Sequence, residues 1–216
     1  VYRPGGTALN AGQVGSTRAA QYIAARCRGD ASAGFDAAAS AALTEMAAQA
    51  DACRADTGNV RALWQHAAEE MSRCGAAIRD PAQIRACGKQ VEAQLADFAQ
   101  TVKAGSRTEL AMLYRLRDML LSQRSYLTAM TDYTAHGVKS RGSALRTDLT
   151  GGTKPFEQLP DTFTFALDET ENPLVQELWY EDGVCRTAWR APRPIPEDDD
   201  FFENVWRSYR ETGNID

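Results

Sequence analysis

"DPAQIRACGKQVEAQLADFAQTVKAGSRTEL", Asp80 to Leu110, is the stretch that decides the fold of this chain. Asp80 can accept from the backbone at a helix start, Pro81 fits the first helical position, and Gln83 completes a capping-box arrangement. From there Ile84, Cys87, Val91, Leu95, Phe98 and Val102 recur at intervals of three and four, the apolar stripe of one helix running to about residue 102. "GSRTEL" then stops this helix and caps another, with Ser106 and Glu109 as a second box. That next helix is expected over about 107–136 and carries Leu113, Leu116, Leu120, Leu127 and Met130.

Working back toward the N-terminus, a helix is expected over about 59–77, with Val60, Leu63, Trp64, Ala67 and Met71 at helical spacing. Another, about 34–55, places Phe35, Ala38, Ala42 and Met46 along one side before "DTGN" breaks it. The first begins at Thr7 or Asn10 and runs to about Arg28. Amphipathic helices of this length with short joins fold antiparallel, so the stripes read as the core of a bundle rather than as a cofactor lining.

The composition changes near residue 140. Between residues 7 and 137 the chain is alanine-rich, with Pro81 its only proline; from Thr147 it gains prolines, β-branched residues and aromatics. "TFTFAL" (Thr162–Leu167) alternates as a strand does, and "VCRTAWRAP" (Val184–Pro192) is its expected partner. "DETENP" and "EDG" then read as turns around a short "LVQELWY" segment. "RPIPEDDDFFENVWRSYRE" runs from an extended proline stretch into a short helix. Its acidic run, Glu197–Asp200, complements the helix dipole there and reads as a cap, not a metal site. The expected fold class is mainly α: an antiparallel helical bundle with a small β-hairpin or irregular C-terminal tail, α+β overall.

With 216 residues the chain makes one large domain or two small ones, and a net charge of -5 without a basic stripe argues against nucleic acid as a partner. No apolar run approaches the roughly 18 residues of a membrane span. The five cysteines are odd in number and lack the spacing of a zinc site or redox pair, so they read as reduced thiols in a cytoplasmic protein. Only His66 and His136 are present, and neither follows a glutamate by three residues, which removes a carboxylate-bridged di-metal centre. Each histidine reads as a surface or helix-end residue rather than a general base.

Two stretches stand apart. "RPGGTALNAGQVGSTRAAQYIAA" (Arg3–Ala25) is a glycine-rich loop turning into a helix. The free N–H groups of such a junction suit a phosphate, a carboxylate or an electron-rich ring oxygen. A loop of this kind belongs inside a larger nucleotide-binding domain, and Val1 is no initiator methionine, so the chain is expected to be part of a longer protein. "KSRGSALRTDLTGG" (Lys139–Gly152) is small, polar and basic; on its residues alone it is a helix stop and a hydrogen-bonded loop.

Together, "GTALNAGQVGSTRAA", "YLTAMTDYTAHGVKSRGSALRTD" and the tail "RAPRPIPEDDDFFENVWRSYRE" resemble the C-terminal part of a flavoprotein. The family is the fumarate reductase, succinate dehydrogenase and L-aspartate oxidase group of FAD-dependent oxidoreductases, most closely its anaerobe-type members. The resemblance implies that the loop-to-helix element closes an FAD-binding domain over residues 1–29. Residues 30–146 would then be a helical bundle domain and 147–216 a β-rich tail. It implies FAD as cofactor of the complete protein, with Gly6, Asn10, Ala11, Gly12 and Gln13 beside the flavin, acting largely through backbone N–H groups. Glycines suit that place because a side chain would hold the ring away. Arg3 would be the arginine that receives a substrate carboxylate; on the residues alone it is an arginine on a loop entering a helix. The implied partners are the N-terminal FAD-binding and capping domains of the same flavoprotein and a small, unsaturated, carboxylate-bearing substrate. The alternative from the residues alone is a non-catalytic helical domain that docks another protein.

Overall fold

The computed structural model describes residues 7–27, 34–140, 144–167, 174–192, 194 and 201–213. It is mainly helical with a small antiparallel sheet. Among the described residues the helices are α1 (Thr7–Arg26), α2 (Phe35–Ala52), α3 (Val60–Gly75), α4 (Pro81–Ala96), α5 (Phe98–Thr101), α6 (Arg107–Ala135) and α7 (Phe201–Thr212). The strands are β1 (Ile78–Arg79), β2 (Leu145–Arg146), β3 (Val175–Glu181) and β4 (Val184–Arg190). Contacts divide the chain into one unit of Val1–Ser40 with Arg193–Asp216 and another of Ala41–Pro192.

In the larger unit α3, α4 and α6 enclose the core. Contacts between α3 and α6 advance together: Gln123 Nε2 donates to Ala67 O (2.9 Å), and a Cβ on Gly75 would stand 3.7 Å from Met130 Cε. Those between α4 and α6 run in reverse, with Glu92 Oε2 3.6 Å from Arg124 Nη1 and a Cβ on Gly88 3.8 Å from Leu127 Cβ. Successive long helices therefore alternate in direction. Ile84, Cys87 and Val91 of α4 are buried with Leu113, Leu116, Leu120 and Leu127 of α6 and Val60, Ala67 and Cys74 of α3.

The fourth helix is not continuous to residue 102. It ends at Ala96, and the Asp97 carbonyl accepts from Gln100 N and Thr101 N to start the single turn of α5. The apolar stripe nevertheless continues through the break, since Phe98 and Val102 are both buried. Both caps form: Asp80 Oδ1 accepts from Gln83 N (2.8 Å), and Ser106 Oγ from Glu109 N (3.2 Å). Neither side chain at the third position returns to the cap's own N–H among the described residues: Glu109 Oε2 accepts from Gly105 N, one residue before the cap, and the Gln83 side chain accepts from Arg73.

Two loops close one end of the bundle. Asn59 donates from Nδ2 to Thr101 O and accepts at Oδ1 from Lys103 N, bridging segments 42 and 44 residues apart. Gly105 fits there because a Cβ would stand 3.0 Å from both Asp56 O and Gly58 N.

Helix α2 departs from expectation: it buries none of its residues, and Phe35 and Met46 of the expected stripe are exposed. Its stripe is mostly alanine, which offers little area to bury. A hydrogen bond from Tyr114 Oη to Met46 O (2.7 Å) ties its C-terminal half to α6.

The hairpin also differs. The partner of β4 is β3, which takes in "VQELWY" and Glu181, not Thr162–Leu167. The two-residue turn Asp182-Gly183, with φ 51° and 80°, has the left-handed conformations that a tight hairpin matching strand twist requires. Phe165 instead forms isolated bridges to Thr147 and Thr153, buried against the loop after α6. A Cβ on Gly152 would stand 2.2 Å from Asp148 O, so that loop closes only with glycine.

In the smaller unit α1 and α7 pack through Tyr22 and Tyr209, whose rings stack 5.5 Å apart. Arg26 Nη2 donates to Tyr209 O and Arg210 O (3.0 and 2.9 Å), a cation on the negative end of α7. The "DETENP" turn and the acidic run Glu197–Asp200 lie outside the described residues.

Candidate functional site

Arg3 and Gly6 lie outside the described residues. Helix α1 begins at Thr7, so Asn10, Ala11, Gly12 and Gln13 stand in its body rather than ahead of it. The N–H groups that a helix leaves without internal partners belong to its opening turn, through Leu9 here; those of Asn10 to Gln13 fall in the helical ladder. All four residues are exposed, and a Cβ on Gly12 would meet nothing within 4 Å. Gln13 lines a shallow surface groove with Val14, Thr17, Arg18 and Trp206, where the Arg18 guanidinium lies 4.7 Å from the Trp206 ring centroid. The arrangement leaves one side of α1 open to whatever approaches it.

The second distinctive stretch, Lys139–Gly152, builds a more enclosed site in the larger unit, with Arg141 to Ser143 outside the described residues. The chain leaves α3 in extended conformation and pairs β1 with β2 in parallel, Ile78 opposite Leu145 and Arg79 opposite Arg146. Leu145 N donates to Ala77 O (2.7 Å) and Thr147 N to Arg79 O (2.8 Å). Arg79 Nε donates to Gly75 O and Ala76 O (3.2 and 2.8 Å), a cation on the carbonyls at the end of α3. Arg146 Nη1 donates to Val138 O (2.5 Å), while Ser140 Oγ accepts from Arg146 N (2.7 Å). These two arginines and Lys139 line a pocket of about 310 Å³ whose apolar side includes Tyr126, Met130 and Tyr133. Among the described residues no carboxylate lines it.

Beside the pocket, Asp132 fastens the hairpin to α6. Its Oδ2 accepts from Gln176 Nε2 (2.7 Å) and Trp189 Nε1 (2.8 Å), and Gln176 Nε2 also donates to Ala129 O (2.8 Å). His136 Nδ1 lies 3.3 Å from Asp132 Oδ1, and its ring rests 4.7 Å from that of Trp189. His136 thus sits at a helix end as expected, and His66 is exposed on α3. Asp132 and Trp189 escaped the sequence reading because the hairpin was paired with the wrong strand. Arg79 escaped it because nothing in "AAIRD" links it to a stretch 67 residues later.

The shifts of Asp148 and Cys87 have clear physical causes. N–H groups of Gly151 and Thr150 hold the Asp148 carboxyl below the usual carboxylate range, fixing the loop after β2. Burial, then hydrogen bonding with Cys74, pushes the Cys87 thiol up to about 12. All five cysteines are free thiols, with Cys53, Cys74 and Cys87 buried. Among the described residues no group of three potential ligands could hold a metal ion, and no helix is long and apolar enough to cross a membrane. No family model, curated protein or solved structure matches the chain.

Proposed function

We propose that this chain is the C-terminal helical part of an FAD-dependent reductase or dehydrogenase, fumarate reductase-like, acting on a small carboxylate-bearing substrate. The reading rests on the resemblance of its loop-to-helix start and its "SRG" stretch to that flavoprotein family. The observation that carries it is α1. This helix of 20 residues buries none of its described side chains and leaves open space beside Gly12. Leu9 and Ile23, on the same side of the helix as Gly12, are exposed even with α7 packed at Tyr22, and a flavin domain packed on that side would cover them. In this reading Gly6, Asn10, Ala11, Gly12 and Gln13 lie beside the flavin, and Arg3 receives a substrate carboxylate.

The test is to express the whole reading frame that contains the chain and measure its flavin absorbance. A yellow protein is expected. Gly12→Val should lose most of the FAD and the reductase activity while keeping the helical circular-dichroism signal, because a branched side chain would hold the ring away. A colourless parent, or a variant with the parent's flavin-to-protein ratio, overturns the proposal. A second reading, a helical domain that docks another protein, is favoured by the uncovered stripe of α2. It gains if the parent protein carries no flavin.

A further inference from the structure

Arg79 and Arg146 face each other as register partners in the parallel pairing of β1 and β2, and both line the same pocket. Partners in a parallel pair project to the same side, so two like charges stand as neighbours, an arrangement that costs stability unless something neutral or negative relieves it. Lys139 adds a third positive charge to the lining. Neither arginine nor Lys139 makes an ion pair among the described residues. The carboxylates beside the pocket are already engaged. Asp80 caps α4 and accepts from Thr147 Oγ1 (3.2 Å); Asp132 holds Gln176, Trp189 and His136.

The guanidiniums are also held in place. Arg79 is fixed through Nε by two carbonyls, and its Nη groups take no hydrogen bond among the described residues. Arg146 is fixed through Nη1, and its Nη2 and Nε take no hydrogen bond among the described residues. Donor groups positioned in advance lose little freedom on meeting a ligand, and a guanidinium fork matches the two oxygens of a carboxylate. Tyr126, Met130 and Tyr133 supply an apolar, largely aromatic side, and about 310 Å³ lies at the small end of the range for ligand sites.

We propose that this pocket binds a small aromatic carboxylate, its acid group on Arg79 and Arg146 with Lys139 adding charge, its ring against Tyr126 and Tyr133. The site lies wholly within Ala41–Pro192 and needs no flavin, so it stands or falls apart from the oxidoreductase proposal.

The test is calorimetric titration of the 216-residue chain with 4-hydroxybenzoate, with the neutral 4-hydroxybenzamide and with inorganic phosphate. Saturable binding is expected for 4-hydroxybenzoate, and binding weaker by about tenfold or more for the amide, which lacks the charge. Arg79→Gln should abolish binding. Since Arg79 also caps α3, Lys139→Gln is the companion variant: Lys139 is exposed and makes no side-chain hydrogen bond or ion pair among the described residues, so its loss should weaken binding while leaving the thermal melt unchanged. The proposal is overturned by the absence of saturable 4-hydroxybenzoate binding, by amide or phosphate binding equally well, or by a folded Lys139→Gln protein that keeps the parent affinity.

Discussion

Phe98 and Phe35 are the same side chain in stripes of similar spacing, yet Phe98 leaves 4% of its surface exposed and Phe35 64%. The difference is what stands opposite. The stripe that runs through Phe98 includes Ile84, Val91 and Leu95 and meets the leucines of α6. The stripe of α2 continues from Phe35 through Ala38 and Ala42, and no described side chain covers it. Spacing decides which side of a helix is apolar; the volume available on both sides of a contact decides whether that side is buried.

The sharpest way to break this comparison is to truncate the buried member. Phe98→Ala should cost about 3–5 kcal/mol, the usual range for emptying a well-packed aromatic site. Chemical denaturation measures it directly. A cost below about 1 kcal/mol would mean that the site collapses around the smaller residue or was never a tight contact.

Next in size is the fastening of the hairpin. Asp132→Ala removes the acceptor shared by Gln176 and Trp189; Gln176 keeps Ala129 O, but the indole N–H is left without its partner. Hydrogen bonds to a charged acceptor are worth about 1.5–3 kcal/mol, so a loss of about 2–3 kcal/mol is expected. Trp189 fluorescence should shift at the same time, because the ring loses its anchor beside Tyr133 and His136. A destabilised protein with unchanged Trp189 emission would place the damage elsewhere on α6.

How much of this was legible in the residues follows the same division. The α4 and α6 stripes and the two caps could be read because they are local patterns, repeated every turn or closed within three residues. The break at Asp97 could not, because the apolar spacing passes through it unchanged. Pairing of β3 with β4 was obscured by Thr162–Leu167, whose alternation is as good as a strand's although Phe165 is buried in a loop. The Asp-Gly turn was the better signal, since it sets two residues between its strands and so names both of them. Of the candidate site, Lys139–Gly152 drew attention by composition, but the opposition of Arg79 and Arg146 depends on a pairing that neither segment announces alone. Gln123, buried within the polar-looking "SQRS", is intelligible only through its bond to Ala67 O.

A smaller effect distinguishes the core by its response to alkali. The Cys87 thiol is raised to about 12, so the folded state holds its proton more tightly than the unfolded chain does. The stability this contributes is fully present below the ordinary thiol pKa and is lost as pH rises from there through about 12. Denaturation midpoints followed upward from neutral pH should fall less steeply in Cys87→Ala than in the parent, after allowance for its lower starting point. Equal slopes would remove Cys87 as a contributor. Iodoacetamide gives a second readout: exposed Cys27 should be alkylated before buried Cys53, Cys74 and Cys87.

The smallest expected effect is the most informative about α2. Phe35→Ala makes the same chemical change as Phe98→Ala, but the ring already stands mostly in water, so little apolar area returns to solvent on unfolding. Surface changes of this kind fall within about 0.5 kcal/mol. The pair of variants thus measures burial with composition held constant, and the ratio of their costs is the quantity of interest. Should Phe35→Ala cost more than about 1 kcal/mol, with a dependence on protein concentration, the stripe of α2 is covered by a second copy of the chain in solution. The same cost without concentration dependence would mean that another part of this chain packs on α2. A negligible cost leaves the stripe bare, and with it the contrast between two alanine-rich helices whose patterns look alike and whose partners do not.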